Sequence, residues 1–177
     1  MPVVALTVVL ISSCTNTTAG EPSPAPTQNG GPPSVAATNS LASLKACSLV
    51  TDAEAQQVAP GSGAAVDRGP FGGSASDCQW TRAATNTVHA ATWGVTIRPD
   101  QTIGQVNVGS GAATSGTVSS HQAREVKGST GDGTCLLAVA VGRTGRVDFG
   151  VSAGLDGDEA CDIAGKAADI VVPKLPA

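Results

Sequence analysis

The spacing of apolar residues predicts a series of strands in the second half of the chain. Residues 88–98 and 146–153 alternate between apolar and polar side chains, the pattern of strands that bury one face. The apolar positions of these two segments are Ala91, Trp93, Val95 and Ile97, then Val147, Phe149, Val151 and Ala153. Residues 135–141 are continuously apolar and predict a central strand, and Gly142-Arg-Thr-Gly145 predicts the hairpin turn that follows it.

Weaker patterns fill the remaining segments between residues 61 and 134. Residues 77–81 predict a short strand, and residues 123–126 predict a brief edge strand. Residues 61–76 and 109–117 are rich in glycine, serine and other small residues, and we expect them to be loops. The glycine-rich segment 128–134 precedes a strand and not a helix, so it predicts a turn and not a phosphate-binding loop.

Two helices are predicted, one on each side of the strands. Thr51 and Glu54 have the spacing of a capping box, which predicts a helix that ends before Pro60-Gly61. A second helix is predicted over residues 158–172 and ends near Pro173. Its predicted inner face consists of Cys161, Ala164, Ala168, Val171 and Leu175.

This order of elements predicts an α+β fold for a domain that spans residues 41–177. We expect an antiparallel meander sheet of about four to six strands, with an N-terminal and a C-terminal helix on one face. The core must consist mainly of Val, Ala, Leu and Ile, because the chain has no Tyr, two Phe and two Trp. Small side chains bury less apolar area each, so covalent cross-links would add needed stability.

The N-terminus has the features of an export signal. Residues 2–11 are an apolar run, too short to span a bilayer as a helix, and Ile11-Ser-Ser-Cys14 follows. This sequence resembles the lipobox of bacterial lipoproteins, in which the cysteine is lipidated and the preceding peptide is removed. The resemblance predicts a signal peptide at residues 1–13 and lipidation of Cys14. No Lys or Arg precedes the apolar run, so we expect the coding region to begin further upstream.

A flexible tether is predicted between Cys14 and the domain. Residues 15–40 contain five prolines and three glycines and almost no large apolar residue. Ordering such a segment is not compensated by burial, so residues 14–40 predict a disordered, partly extended linker. Together, the lipobox and the tether predict a protein anchored at the extracytoplasmic face of the cell membrane.

Four cysteines remain in the domain, and we expect them to form two disulfides: Cys47, Cys78, Cys135 and Cys161. A zinc site is disfavoured because there is no CxxC pair and neither histidine lies at a ligand spacing from a cysteine. Three pairings are possible. We favour Cys47 with Cys78 and Cys135 with Cys161, since each pair joins a predicted helix to a nearby strand.

The cysteine-containing motifs resemble a known family. Cys47-Ser-Leu-Val-Thr-Asp-Ala-Glu54, the Cys78-Gln-Trp80 motif, Cys135 at the start of an apolar strand and Cys161 in the last helix are similar to actinobacterial lipoproteins of the DUF3558 family. The resemblance extends over roughly residues 41–177, and the lipobox and tether fit it. It implies no activity, cofactor or catalytic residue.

The motifs that resemble catalytic or metal-binding sites are better explained by structural roles. Gly150-Val-Ser152-Ala-Gly154 matches a nucleophile elbow, but both histidines precede Ser152 and the predicted context is a strand end. The acidic segment from Asp156 to Glu159 does not match the EF-hand loop, and a helix N-cap explains it better. Trp80 and Trp93 are expected to pack in the core. His89 and His121 are expected to be isolated strand or surface residues.

These observations favour a protein that binds and does not catalyse. The formal net charge is −4 with no basic stripe, which disfavours a nucleic-acid partner. We expect a binding or accessory module of the cell envelope that requires no cofactor or metal and recognises an envelope protein or a glycan. The alternative is an envelope hydrolase whose active site has no recognisable motif.

The lipobox generates the first prediction. With the upstream coding region restored, the protein should be labelled by a palmitate analogue and should partition with membranes. Cys14→Ala should abolish both properties, because the thiol that accepts the lipid is removed. Membrane partitioning that persists in the Cys14→Ala protein would contradict the assignment.

Overall fold

The structure is a computed structural model that describes residues 40–154 and 156–176. The predicted signal peptide, Cys14 and the tether up to residue 39 lie outside the described residues. Within these residues, two α-helices and seven strands follow in chain order: α1 Asp52–Val58, β1 Val66–Asp67, β2 Ser76–Arg82, β3 Ala91–Arg98, β4 Ala112–Val118, β5 His121–Lys127, β6 Thr134–Val141, β7 Gly145–Ala153 and α2 Gly157–Val171. No helix among the described residues is long and apolar enough to cross a membrane.

All seven strands form one antiparallel sheet, in the order β1-β2-β3-β7-β6-β5-β4. The α+β class and the antiparallel pairing are therefore as predicted, but the sheet has seven strands and not four to six. It is also not one meander. Strands β1–β3 and β4–β7 are two meanders, and the connection from β3 to β4 runs from the middle of the sheet to its far edge.

The two segments that were predicted as loops contain the missing strands. Residues 66–67 form β1 and residues 112–118 form β4. Six of the seven β4 residues are exposed, so no apolar alternation marks this strand in the sequence. The prediction of residues 123–126 as an edge strand was wrong, because β5 lies between β4 and β6.

The main core lies on the face of the sheet that bears the two tryptophans. Trp80 and Trp93 are opposite each other on β2 and β3, and their rings stack with centroids 4.3 Å apart. Both are fully buried, as predicted for core residues. Trp93 Nε1 donates a hydrogen bond to Ser62 Oγ at 3.0 Å, whereas Trp80 Nε1 has no hydrogen-bond partner among the described residues.

The C-terminal helix packs against β6 and β7, and α1 packs against α2. The buried residues of α2 are Ala160, Ile163, Ala164, Ala167, Ala168 and Val171. This stripe is wider than the predicted inner face, and Cys161 and Leu175 lie at its margin, only partly buried. Alanine dominates the stripe, which lets the helix backbone approach the sheet closely.

The capping box of α1 is present as predicted. Glu54 accepts a hydrogen bond from Thr51 N at 2.8 Å, and Glu54 N donates to Thr51 Oγ1 at 3.3 Å. Glu54 also accepts a hydrogen bond from Lys174 Nζ at 2.7 Å, which ties the C-terminal segment to α1. The Lys174 ammonium and the Thr51 donors together lower the pKa of Glu54 to about 2.

The two disulfides have the favoured pairing, Cys47–Cys78 and Cys135–Cys161. The first joins the short 3₁₀ helix Ala46–Ser48 to β2, and the second joins β6 to α2. Their sequence separations are 31 and 26 residues. By loop-closure entropy, each contributes about 3 kcal/mol to the free energy of unfolding.

The opposite face of the sheet is covered in part by the connection from β3 to β4. A second, smaller core lies beneath it: Val106, Val126 and Ala138, with Ile103, Val108 and Leu136 around them. The buried Asp148 on β7 accepts hydrogen bonds from Arg146 Nε at 2.7 Å and Arg98 Nε at 2.6 Å. Arg146 in turn donates to the carbonyl of Thr102 at 2.7 Å, which fastens the connection to the sheet.

The disulfides generate the second prediction. A Cys14→Ala chain should show no reactive thiol in its native, oxidised state, and its melting temperature should fall sharply after reduction. Replacing one pair, Cys135 and Cys161, with alanines should cost about 3 kcal/mol in urea unfolding. Reactive thiols in the native protein, or a peptide map that joins Cys47 to Cys161, would contradict the structure.

Candidate ligand-binding cleft at the start of the second helix

Polar residues from four separate segments meet in a cleft of about 500 Å³ at the start of α2. The cleft is lined by the segment before β3, the end of β5, the turn before β6 and the first residues of α2. The lining residues are His89, Lys127, Gly128, Asp132, Gly133, Asp156, Gly157 and Asp158. The structure thus brings His89 close to Asp156 and Asp158, which lie far from it in the sequence.

Asp156 is the N-cap of α2 and belongs to the acidic segment that was expected to supply this cap, as either Asp156 or Asp158. Its Oδ1 accepts hydrogen bonds from the backbone N–H groups of Asp158 at 2.9 Å and Glu159 at 3.1 Å. These two donors stabilise the carboxylate and lower the pKa of Asp156, the Glu159 N–H contributing most. Asp156 is therefore ionised at neutral pH, and part of its hydrogen-bonding capacity serves the helix.

Lys127 and Asp158 form an ion pair across the cleft, with Nζ and Oδ1 2.5 Å apart. The hydrogen bond that Lys127 donates to the Asp158 carboxylate raises the pKa of Lys127. The lysine stem also crosses the start of α2, since a Cβ added at Gly157 would lie 2.7 Å from Lys127 Cε. Glycine at position 157 thus lets the lysine chain lie against the helix backbone.

A second charged group lies beside the cleft and is largely buried. Arg82 is 5% exposed, and its guanidinium donates to Glu159 at 2.6 Å and to the carbonyl of His89 at 3.0 Å. His89 Nδ1 lies 3.5 Å from the other oxygen of Glu159. Because Arg82 belongs to β2 and Glu159 to α2, this pair fixes the helix start against the first meander.

The pKa shifts of Asp156 and Lys127 do not suit these two groups for proton transfer near neutral pH. A carboxylate acts as a general acid near neutral pH when its pKa is raised, and a lysine acts as a general base when its pKa is lowered. The pKa of Asp156 is lowered and the pKa of Lys127 is raised, so both groups keep their charges. The cleft presents fixed positive and negative charges side by side.

Metal binding gains no support from the described residues. Glu125, Cys135 and Cys161 place ligand atoms within 4.8 Å of one another. Both sulfurs, however, belong to the disulfide Cys135–Cys161 and are not free thiolates. Asp156 uses one carboxylate oxygen as a helix cap, which is the role that the sequence analysis preferred to a calcium site.

The remaining candidate residues lie elsewhere. Ser152 is exposed on β7, in a shallow groove over β2, β3 and β7 whose lining among the described residues includes no histidine. Its neighbours there are Thr92, Gly94 and Gly150. His121 lies at the start of β5, where Nδ1 is 2.9 Å from the carbonyl oxygen of Ala140. The structure therefore does not pair Ser152 with a histidine in this groove.

Sequence reasoning missed Arg82, Lys127 and Asp132, and it considered Glu159 only as part of the acidic segment at the helix start. Arg82 and Lys127 are each the last residue of a strand, and only the fold brings these strand ends to the start of α2. The one available signal was that Arg82 breaks the apolar side of β2, where Cys78 and Trp80 are buried. A charge at a buried strand position indicates a partner from another element.

The sequence of residues 9–174 matches a family described as a protein of unknown function, DUF3558. The chain belongs to the DUF3558 family. No curated protein and no solved structure matches the chain.

The match to the DUF3558 family extends well beyond the motifs that first indicated it. It includes every helix and strand of the described fold, both disulfides, and the three segments that form the cleft walls with α2. The cleft and the sheet therefore belong to the part of the chain that defines family membership. The description of the family names no activity.

Proposed function

We propose that this chain is a membrane-anchored lipoprotein whose domain works as a non-catalytic binding or accessory module of the cell envelope. Cys14 carries the lipid, the signal peptide at residues 1–13 directs export, and the tether holds the domain at the extracytoplasmic face of the membrane. The lipobox-like sequence Ile11-Ser-Ser-Cys14 and the proline-rich segment after it support this anatomy.

The charge state of the cleft is the observation that carries the non-catalytic assignment. Lys127 is paired with Asp158, and Asp156 caps α2. The pKa shifts of Lys127 and Asp156 both favour the ionised form. Such groups recognise a polar or charged surface at constant protonation, whereas turnover by acid–base catalysis requires them to exchange protons.

A membrane anchor would raise the effective concentration of the domain toward a partner near the membrane. A flexible segment of about 26 residues spans about 30 Å, from roughly 6 Å × √n. The domain is thereby confined to a thin layer above the membrane, and its effective concentration toward a partner in that layer rises. An envelope protein or a glycan fits this location, whereas the net charge of −4 disfavours nucleic acid.

The function prediction uses single alanine substitutions at the residues that resemble catalytic groups. Replacing Ser152 or His121, which lie outside the cleft, should leave cellular function intact, measured by complementation of a deletion strain. Replacing Asp156, Asp158 or His89 one at a time should weaken function without abolishing it. Combined substitutions across one exposed patch should abolish it, because binding surfaces depend on several contacts. One single variant that eliminates a measurable turnover, while folding and partner binding are unchanged, would contradict the proposal.

Thermal melts provide the control for this experiment. Asp156→Ala removes the α2 N-cap and should lower the melting temperature by a few degrees. Asp158→Ala removes only an exposed ion pair and should change it less. The pair of variants separates a loss of function caused by unfolding from one caused by a missing catalytic group.

A further inference from the structure

The two edges of the sheet differ in a way that bears on partner binding. One edge is β1, which is only two residues long and contains Asp67. The other edge is β4, seven residues long, with the uncharged sequence Ala-Ala-Thr-Ser-Gly-Thr-Val. Sheets are normally protected at their edges by short strands, charges or prolines. β1 is protected in this way, and β4 is not.

Within residues 40–154 and 156–176, β4 pairs only with β5. Its other side therefore presents a row of backbone N–H and C=O groups to solvent. An added strand would satisfy these groups with the same ladder that joins the rest of the sheet. Antiparallel addition is favoured, since every existing pair in the sheet is antiparallel.

Shallow troughs lie on both faces of β4. The trough on the face of the second core has a volume of about 580 Å³ and is lined by Ile103, Gly104, Ser115, Thr117, Gln122 and Arg124, among others. The trough on the main-core face has a volume of about 230 Å³ and includes Thr114, Val118, Ala123, Glu125 and Leu137. Gly116 lines both, and the small side chains of β4 leave both unfilled.

Arg124 gives the first trough a charge preference. The residue is half-buried, and its guanidinium makes no hydrogen bond or ion pair with any described residue. In the register of the sheet, Arg124 lies opposite Ser115 of β4. A residue added beyond Ser115 lies about 10 Å from Arg124 along the same row, within reach of a carboxylate and a guanidinium that extend toward each other.

We propose that β4 binds an extended segment of a partner protein as an eighth, antiparallel strand. The segment carries a large apolar residue opposite Gly116, which fills the trough on the main-core face, followed by an acidic residue opposite Ser115, which pairs with Arg124. The proposal rests on the proposed function of a binding module, and it adds to the cleft a second surface and the chemistry of the partner that this surface binds.

A second copy of the chain is a poorer occupant of this edge. Its own β4 offers only small, uncharged side chains, which would neither fill the troughs nor neutralise Arg124. The segment 15–39 of the same chain contains five prolines, and proline has no N–H to donate to a ladder. A partner strand with a large apolar residue and an acidic residue would fill the trough and pair with Arg124.

The test uses the full chain, isotope-labelled and purified in mild detergent, and a blocked seven-residue peptide, Thr-Thr-Leu-Glu-Thr-Val-Thr. In the antiparallel register, Leu lies opposite Gly116 and Glu opposite Ser115. The expected result is saturable changes in amide chemical shifts confined to β4 and β5. A control peptide with Lys in place of Glu should bind about fivefold more weakly, and Arg124→Glu should reverse this preference.

Two glycine substitutions provide a matched pair. A Cβ at Gly116 or at Gly150 meets no atom within 4 Å, so a side chain can begin at both positions without a backbone clash. Gly116→Leu fills the trough from within and should abolish peptide binding, whereas Gly150→Leu, on β7, should leave it unchanged. Both variants should retain the chemical shifts of the β3 and β7 amides away from the substituted site, which confirms that the fold is intact.

Several outcomes would overturn the proposal. One is the absence of a saturable chemical-shift change in β4 at millimolar peptide. The others are equal binding of the two peptides and unchanged peptide binding to the Gly116→Leu variant. Concentration-dependent β4 shifts without peptide would assign the edge to a second copy. A change in the β4 amide chemical shifts when residues 15–39 are deleted would assign the β4 edge to the tether. None of these outcomes produces turnover, so each is distinguishable from a failure of the non-catalytic assignment.

Discussion

The pairing of β3 with β7 holds together the two halves of the domain, which contain the meanders β1–β3 and β4–β7. Every other strand pair joins strands that follow each other in the sequence, whereas β3 and β7 are separated by three strands. Their register brings Trp93 opposite Val151 and Val95 opposite Phe149. The neighbouring β2 adds Trp80 to this apolar centre. The largest side chains of an otherwise small-residue core thus meet along this seam.

The cross-links reinforce each half separately. Cys47–Cys78 lies within the first half and Cys135–Cys161 within the second, so neither spans the β3–β7 seam. The seam itself is supported by non-covalent contacts. Arg82 pairs with Glu159 across it at one end of the sheet, and Arg98 pairs with Asp148 across it on the opposite face. Ion pairs between largely buried groups fix orientation more than they add stability.

Most of the fold could be predicted from the sequence because burial is periodic. The alternation in residues 91–98 and 147–153, the capping box at Thr51 and Glu54, and the Asp156 cap all reflect local rules that the structure follows. The cysteines indicated their own pairing, since each lies on or beside an element that the apolar pattern had located. β4 escaped prediction because neither of its faces is buried.

The cleft was only partly accessible to sequence reasoning. His89, Asp156 and Asp158 attracted attention as residue types, but their proximity depends on strand order, which local patterns do not encode. The unusual β3–β7 pairing places the segment before β3 near the start of α2, and Arg82 near Glu159. The resulting fixed charges and the unprotected β4 edge are the observations on which the two proposals rest.

Native-state hydrogen exchange of the backbone amides tests this account most directly. If the β3–β7 seam is the centre of stability, amides in β3 and β7 that lie in the ladder should exchange only through global unfolding. The β4 amides that face away from β5 should exchange orders of magnitude faster, because no described strand covers them. Equal protection of β4 and β7 would contradict both the central role of the seam and the open edge.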